Sequence, residues 1–286
     1  MLITLKEALH MADKENFAIG AFNSPTLESA RAALEAGERM NKPIILQHAE
    51  VHFEIMPLEI MGPILVNLAK QATIPVVVHL DHGENLDTIK KSIDIGFSSV
   101  MIDASQKPFE ENINIVKEIV DYAHSRGVSV EAELGLIGDT GVGGENTGEF
   151  KKMEIEDRYT NPDLAKKFVE ETNIDALAAS FGTAHGIYVT EPQLDFKRLK
   201  EIYEATNRPI VMHGGSGLSH WEYKKAINNG VRKINYYSYA AKLAAESVKK
   251  FLNENENVLF YDEVTQVARE SIRENIKNVI EVFSNK

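Results

Sequence analysis

Residues 76–92 read VVVHLDHGENLDTIKKS, and three features meet in that stretch. It opens with an apolar run of buried-strand length, which predicts a strand covered on both faces, as in a parallel sheet flanked by helices. His79, Asp81 and His82 gather towards the end of that run. The segment GENLDTIKKS (83–92) then predicts a helix. A strand that ends in reactive side chains and feeds a helix is the repeating unit of a barrel whose chemistry sits at the C-terminal ends of its strands.

The unit recurs in both directions along the chain. FAIGAFN (17–23), PIILQHA (43–49), SVMIDA (99–104), SVEAELG (129–135), ALAASFG (176–182), PIVMHGG (209–215) and VRKINYY (231–237) bring the predicted strands to eight. Between them, LESARAALEAGERM (27–40) carries Leu27, Ala30, Ala33, Leu34 and Ala36 at helical spacing. NINIVKEIVDYAHSRG (112–127) does the same with Ile113, Val116, Ile119 and Val120, and Gly127 stands where a helix-ending glycine belongs. PDLAKKFVEETN (162–173) has proline in its first turn, and QLDFKRLKEIYEATN (193–207) ends in Asn before a strand. Eight strand–helix alternations predict the α/β class and a (β/α)8 TIM barrel, with extra helices near 4–14 and 259–283. No linker or low-complexity block divides the chain, so one domain over residues 1–286 is expected.

Composition excludes several classes. The 286 residues hold 31 Lys+Arg, 43 Asp+Glu, nine His and no cysteine. Without cysteine there is neither a disulfide framework nor a thiolate metal site. A formal charge of −12 argues against a nucleic-acid partner, which needs a basic face. A 43% hydrophobic fraction is too high for a disordered chain. No apolar run approaches the ~18–20 residues that span a bilayer. MLITLKEALHMADKEN (1–16) lacks the charged-then-apolar layout of a signal segment. A soluble, cytoplasmic protein without membrane or nucleic-acid partners is the expectation.

The polar residues fall where a barrel would use them. Strand ends carry Asn23, His48 and Glu50, Asp81 and His82, Asp103, Glu131 and Glu133, and then Lys233, Asn235 and Ser238. His185 lies in GTAHG just past the sixth strand, and His213 opens HGGSG after the seventh. A core histidine is usually a hydrogen-bonded structural residue, and that reading stands for His10, His124 and His220. His82, His185 and His213 instead converge on one mouth. Neutral imidazole suits Zn²⁺ or a similar divalent ion, and three protein ligands with one open position describe a catalytic metal site. His79, three residues before His82, faces away from it in a regular strand and reads as packing. Asp81 carries two readings: a cap on the following helix, or a general base or acid beside a metal. In HGGSG (213–217) and NYYS (235–238), glycines let backbone N–H groups approach an anion, and Ser216 and Ser238 add hydroxyls. A divalent metal and a phosphorylated small molecule are the expected occupants.

LDHG (80–83), EAELG (131–135), GTAHG (182–186), HGGSG (213–217) and KIN (233–235), in that order and spacing, closely resemble the class II, metal-dependent fructose- and tagatose-bisphosphate aldolase family. The resemblance covers essentially the whole chain. It implies an aldehyde-lyase that reversibly cleaves fructose 1,6-bisphosphate or tagatose 1,6-bisphosphate to dihydroxyacetone phosphate and glyceraldehyde 3-phosphate. It implies His82, His185 and His213 as ligands of one catalytic Zn²⁺ per subunit, with Glu133 as a glutamate near the metal. Asp81 would be the acid/base at the C4 hydroxyl. Gly186, Gly214 and Ser216 would hold the substrate phosphate, with Asn235 and Ser238 around the ketose-derived half and Asn23 in the substrate pocket. A monovalent cation and a homodimeric or homotetrameric assembly complete the implied picture.

Three segments depart from that pattern. The loop glutamate of the family has no clear counterpart in GLIGDTGVGGENTGEFKK (135–152); Glu145 is the first choice, Glu149 the second, and a merely solvated loop the alternative. Five glycines between 138 and 148 support a mobile lid. After the eighth strand, Tyr237 and Tyr239 stand where the family has small polar residues, which means helix-start packing or a pocket reshaped for another aldehyde half. In HAEVHFE (48–54), His48 and Glu50 alternate onto one face, to contact substrate or each other, and His52 joins them near the rim. Arg269 and Arg273 are either distal-phosphate ligands or solvated helix residues. Competing readings are an aldolase for a different ketose phosphate, a non-catalytic sugar-phosphate binder, a Schiff-base aldolase using Lys233, and a metallohydrolase. Metallohydrolase barrels often open with H-x-H where this chain reads AFN.

Overall fold

The computed structural model describes residues 1–139 and 158–285. Eight parallel strands close a barrel: β1 Ile19–Asn23, β2 Ile44–Ala49, β3 Val76–Gly83, β4 Ser99–Ile102, β5 Ser129–Leu134, β6 Ala176–Ala179, β7 Ile210–Met212 and β8 Val231–Tyr236. Each pairs with its neighbours in sequence, and β8 returns to β1 with Ile19 opposite Lys233 and Ala21 opposite Asn235. Helices α1 Leu5–Glu15, α2 Leu27–Met40, α3 Leu58–Gln71, α4 Leu86–Ile95, α5 Phe109–His124, α6 Pro162–Thr172, α7 Phe196–Thr206, α8 His220–Asn228, α9 Ser238–Glu254 and α10 Tyr261–Phe283 surround it. All eight predicted strands and both extra terminal helices are present. No helix among the described residues is long and apolar enough to cross a membrane.

The strands' two-residue period sorts each run into an inner and an outer face. The outer face, including Leu46, Val78, Leu80, Val100, Val130 and Leu177, packs against Leu65, Ile89, Ile119 and Phe168 of the helices. Low in the barrel the inner face is apolar, with Ile19, Ala21, Ile45, Val77, Met101, Ala176, Ala178 and Val211 in one cluster. Leu5, Ala8, Leu9 and Ala12 of α1 belong to the same cluster, so the opening helix plugs the barrel's N-terminal end. Thr4 and Glu7 fix that plug by a reciprocal capping box.

Two residues further along each strand, the inward positions turn polar. Asn23 follows Ala21, Gln47 follows Ile45, and His79 and Asp81 follow Val77. The register sets Asn23 beside Gln47 and Gln47 beside His79. Apolar floor and polar mouth therefore come from one alternation pattern read upward along each strand.

Candidate active site

The polar mouth opens into a cavity of about 400 Å³. Of the residues singled out in the sequence, Asn23, Asp81, His82, Glu133, His185, Gly186, Gly214, Ser216, Asn235 and Ser238 line it. His213 is fully buried just beneath. Glu145 and Glu149 lie outside the described residues.

Regular alternation would send His79 and Asp81 inward and His82 outward. The chain breaks that rule at His82, whose φ of 48° places it in the left-handed region, and the β3–β4 register shifts between Leu80 and Gly83. A non-glycine residue held there is strained and needs its surroundings to keep it in place. The turn brings His82 Nε2 to 2.9 Å from His213 Nδ1, while His82 Nδ1 lies 3.0 Å from Asp103 Oδ2. The His82 and His185 ring centroids are 5.1 Å apart, and one nitrogen from each of His82, His185 and His213 falls within a 4.8 Å group.

Charge decides which nitrogens are free. Burial pulls His213 down to a pKa of about 4, so its ring is neutral near pH 7. Its Nε2 lies 2.8 Å from Glu131 Oε1, so Nε2–H donates to that carboxylate and the Nδ1 lone pair faces the mouth. His82 donates Nδ1–H to Asp103, which turns its Nε2 lone pair towards the same point. Two lone pairs 2.9 Å apart would repel, so this point takes either a proton on His82 Nε2, donated to His213 Nδ1, or a metal ion. Burial opposes charge on His82, yet Asp81, Asp103 and Glu133 raise its pKa to about 10. The pocket is thus built to hold positive charge at this point, and three convergent imidazoles fit a divalent metal ion.

Glu133 and Asp103 form a second group with His82, their ligand atoms again within 4.8 Å. Burial and the neighbouring Asp103 hold the Glu133 carboxyl well above the usual range, and its Oε2 is buried without a hydrogen-bond partner. Asp103, directly after β4, was noted in the sequence only as a strand-end acid; here it orients His82.

Asp81 does not cap α4; that role belongs to Asn85, whose side chain accepts from Thr88 N at 3.0 Å. Asp81 Oδ2 instead accepts from Asn23 Nδ2 at 2.8 Å and Gln47 Nε2 at 3.1 Å, and Oδ1 from Asn235 Nδ2 at 3.0 Å. Burial would raise this carboxyl, but His82, His213 and Lys233 hold it well below the ordinary carboxylate range. Gln47 was missed in the sequence, although its inward position two residues after Ile45 was there to be read.

The loops after β6 and β7 are tied to each other. Ala184–His185 pairs with Gly138–Asp139 in a short two-stranded sheet, which carries His185 over the mouth. The Tyr188 hydroxyl accepts from Ala184 N at 2.9 Å and donates to Gly214 O at 2.8 Å. Gly214 has φ +61°, and a Cβ there would sit 2.4 Å from the Ala184 carbonyl, so only glycine allows the approach. Ser216 Oγ accepts from Tyr237 N at 2.9 Å, beside the first residue of α9. Gly186, Gly214, Ser216 and Ser238 therefore share one side of the mouth with a helix N-terminus, a combination suited to an anion. Nothing in the sequence periodicity singled out Tyr188.

Two sequence expectations are corrected. β2 stops at Ala49, so His48 and Glu50 neither share a face nor meet. His48 is buried with Nε2 2.8 Å from Met56 O, and Glu50 accepts from Glu84 N at 2.8 Å and Thr88 Oγ1 at 2.9 Å, supporting the start of α4. Arg269 and Arg273 pair with Glu35 of α2 at 3.5 Å each and stay in the α2–α10 seam. Lys233, fully buried, lies 2.9 Å from Glu131 Oε2 as an ion pair in the barrel interior, away from the lining of the mouth.

Comparison with known proteins agrees with this geometry. The profile described as fructose-bisphosphate aldolase class-II matches residues 3–286. A fructose-bisphosphate aldolase of Staphylococcus epidermidis is 39% identical over 287 residues, covering 99% of this chain and 97% of the relative. A 6-phospho-5-dehydro-2-deoxy-D-gluconate aldolase of Halalkalibacterium halodurans is 37% identical, covering 99% and 96%. The crystal structure of the YdjI aldolase from Escherichia coli K12 matches with a TM-score of 0.86 at 32% identity, covering 99% and 97%.

Proposed function

This chain belongs to the class II fructose-bisphosphate aldolase family, and we propose that it cleaves a ketose phosphate between C3 and C4 to dihydroxyacetone phosphate and an aldehyde. The observation that carries the reading is the meeting of His82 Nε2 and His213 Nδ1 at 2.9 Å beside an ionised Asp81 held by three amide donors. Fructose 1,6-bisphosphate, the substrate in the name of the Staphylococcus relative, and its C4 epimer tagatose 1,6-bisphosphate are the reference substrates.

Zn²⁺ held by His82, His185 and His213 would supply Lewis-acid polarisation of the substrate carbonyl. The chain's own residues do the rest. Gly186, Gly214, Ser216, Ser238 and the N-terminus of α9 bind the phosphate of the ketose-derived half. Asn23, Gln47 and Asn235 fix the Asp81 carboxylate, which takes the proton of the C4 hydroxyl. The C3–C4 bond breaks, its electron pair moves towards the C2 carbonyl, and the aldehyde leaves. C3 then takes up a proton, for which Glu145 is the proposed donor and Glu149 the second choice. Asp103 stays 3.0 Å from His82 and balances its charge, with Glu133 close by. The same reading places the enzyme in the cytoplasm as a homodimer or homotetramer.

A different ketose phosphate is the second reading, favoured by the His52 and Tyr237 rings, 4.9 Å apart, on the wall of the mouth. Retro-aldol cleavage over a panel of ketose mono- and bisphosphates, with coupled detection of dihydroxyacetone phosphate, tests both. Activity removed by EDTA and restored by Zn²⁺ is expected. No cleavage of any sugar by zinc-loaded protein would overturn the aldolase reading.

A further inference from the structure

The cavity has two unlike sides. Gly186, Gly214, Ser216 and Ser238, on the loops after β6 to β8, are the anion-binding side. Asp81 stands between that side and the loops after β2 to β4, which supply Val51, His52, Glu84, Asp103, Ser105 and Gln106. In the proposed cleavage the phosphate-bearing half occupies the first side, so the departing aldehyde half must extend over the second.

The second side offers hydrogen bonds and apolar surface with no Lys or Arg among its described lining residues. Burial holds the His52 imidazole below its ordinary pKa, so it is neutral, and its Nδ1 is buried without a hydrogen-bond partner. Burial likewise raises the Tyr237 phenol, which stays neutral too. Tyr237 is anchored by its backbone N–H on Ser216, and its ring leans on His52 at 58°, so the two form one wall. The full charges that this side adds among the described residues are the carboxylates of Glu84 and Asp103. Arg269 and Arg273 are held by Glu35 in the α2–α10 seam. A second phosphate placed here would face Glu84, Asp103 and two neutral rings, and bringing like charges together in a partly desolvated site is strongly unfavourable. Hydroxyls would find partners in the imidazole, the phenol and the Gln106 amide.

We propose that His52 and Tyr237 set the specificity of this site for an uncharged, hydroxylated aldehyde half, so that the substrate is a ketose carrying its phosphate on the dihydroxyacetone phosphate side alone. The inference rests on the aldolase reading above. Both rings act as specificity-determining residues that touch the aldehyde chain and take no part in proton transfer.

The test runs the reaction in the direction of C–C bond formation with zinc-loaded full-length protein. Dihydroxyacetone phosphate is offered with racemic glyceraldehyde or with racemic glyceraldehyde 3-phosphate, which removes sugar stereochemistry from the comparison. Exchange of the C3 hydrogen of dihydroxyacetone phosphate with deuterium oxide, followed by NMR without any aldehyde, reports the aldolase reading separately. Exchange together with a kcat/KM at least about tenfold higher for glyceraldehyde supports the inference. Exchange with equal or higher efficiency for the phosphorylated aldehyde overturns it and leaves the aldolase reading intact. Absence of exchange overturns the aldolase reading and the inference with it. His52→Arg, which adds a cation to the wall, is expected to move the efficiency ratio about tenfold towards glyceraldehyde 3-phosphate. Tyr237→Arg provides the same change from the other half of the pair if the first variant folds poorly. An unchanged ratio in a folded variant, judged by circular dichroism, overturns the role of that residue.

Discussion

His213 Nε2 and Glu131 Oε1 are 2.8 Å apart in the fully buried interior of the barrel, and the second oxygen of Glu131 lies 2.9 Å from Lys233 Nζ. One carboxylate thus sets the tautomer of an imidazole at the mouth and neutralises an amine with no access to water. Both His79, whose Nε2 is 3.6 Å away, and Lys233 lean on the same oxygen. Burial would push the Glu131 carboxyl up, but Lys233 and His213 hold it well below the ordinary range.

Replacing Glu131 by Gln leaves Lys233 charged and unpaired, which is expected to destabilise the fold by about 3–5 kcal/mol. The companion loss of orientation at His213 is expected to weaken zinc binding by about 10–100-fold. Thermal unfolding and zinc titration measure the two effects. The double substitution Glu131→Gln with Lys233→Met is expected to recover stability without recovering metal affinity. A double variant no more stable than Glu131→Gln would show that the ion pair is not what the single substitution breaks.

Acid should destabilise the protein before its carboxylates titrate. Burial lowers His79 to a pKa of about 3, whereas the same side chain in the unfolded chain titrates near 6.5. A depressed pKa means that the unfolded state binds the extra proton, so stability is full above about 6.5 and falls as pH drops towards 3. The expected contribution of His79 is about 1.4 kcal/mol per pH unit within that window. Urea unfolding between pH 6 and pH 4.5 should show a slope that His79→Gln reduces by about that amount. A variant with the unaltered slope would place the proton uptake elsewhere.

Asp81→Asn keeps the shape of the carboxyl and removes its basicity. Loss of a positioned general base is expected to lower kcat by about 10²–10⁴-fold. Zinc stoichiometry should stay unchanged, because Asp81 bonds Asn23, Gln47 and Asn235 and stands outside the three-imidazole group. Pre-steady-state and steady-state cleavage rates together with metal analysis test it; loss of zinc in this variant would assign Asp81 a structural role.

Tyr188→Phe removes the hydroxyl that joins Ala184 N to Gly214 O. Both neighbours carry the site, one through His185 and the other through the anion-binding loop. An increase of about tenfold in KM for the phosphorylated substrate is expected, with a smaller change in kcat and an intact fold. Inorganic phosphate binding followed by calorimetry should weaken in parallel. An unchanged KM would mean that the glycine loop keeps its shape without this tie.

Much of this protein is legible one residue at a time. Short apolar runs separated by amphipathic segments prescribe strands and helices, since each burial pattern has its own period. The same period-two alternation places Asn23, Asp81, Glu133, His213 and Asn235 at the barrel's upper, inward positions. Strand-end glycines mark where backbone must come close to another group, as Gly214 does to Ala184.

Other features depend on contacts that alternation cannot encode. Strict periodicity would have turned His82 away from the mouth; its left-handed backbone and the bulge against β4 return it to His213. His48 and Glu50 would have shared a face had β2 continued, but the chain enters a 3₁₀ turn and sends one to Met56 and the other to α4. Arg269 and Arg273 carry the same local signal as solvated or anion-binding arginines, and Glu35, more than two hundred residues earlier, claims both. Sequence by itself determined the barrel, its apolar floor and its polar mouth, because these follow from periodic burial within each segment. Tertiary structure decided which side chains meet in that mouth, because a hydrogen bond depends on the distance and direction between atoms from distant segments, and local pattern prescribes neither.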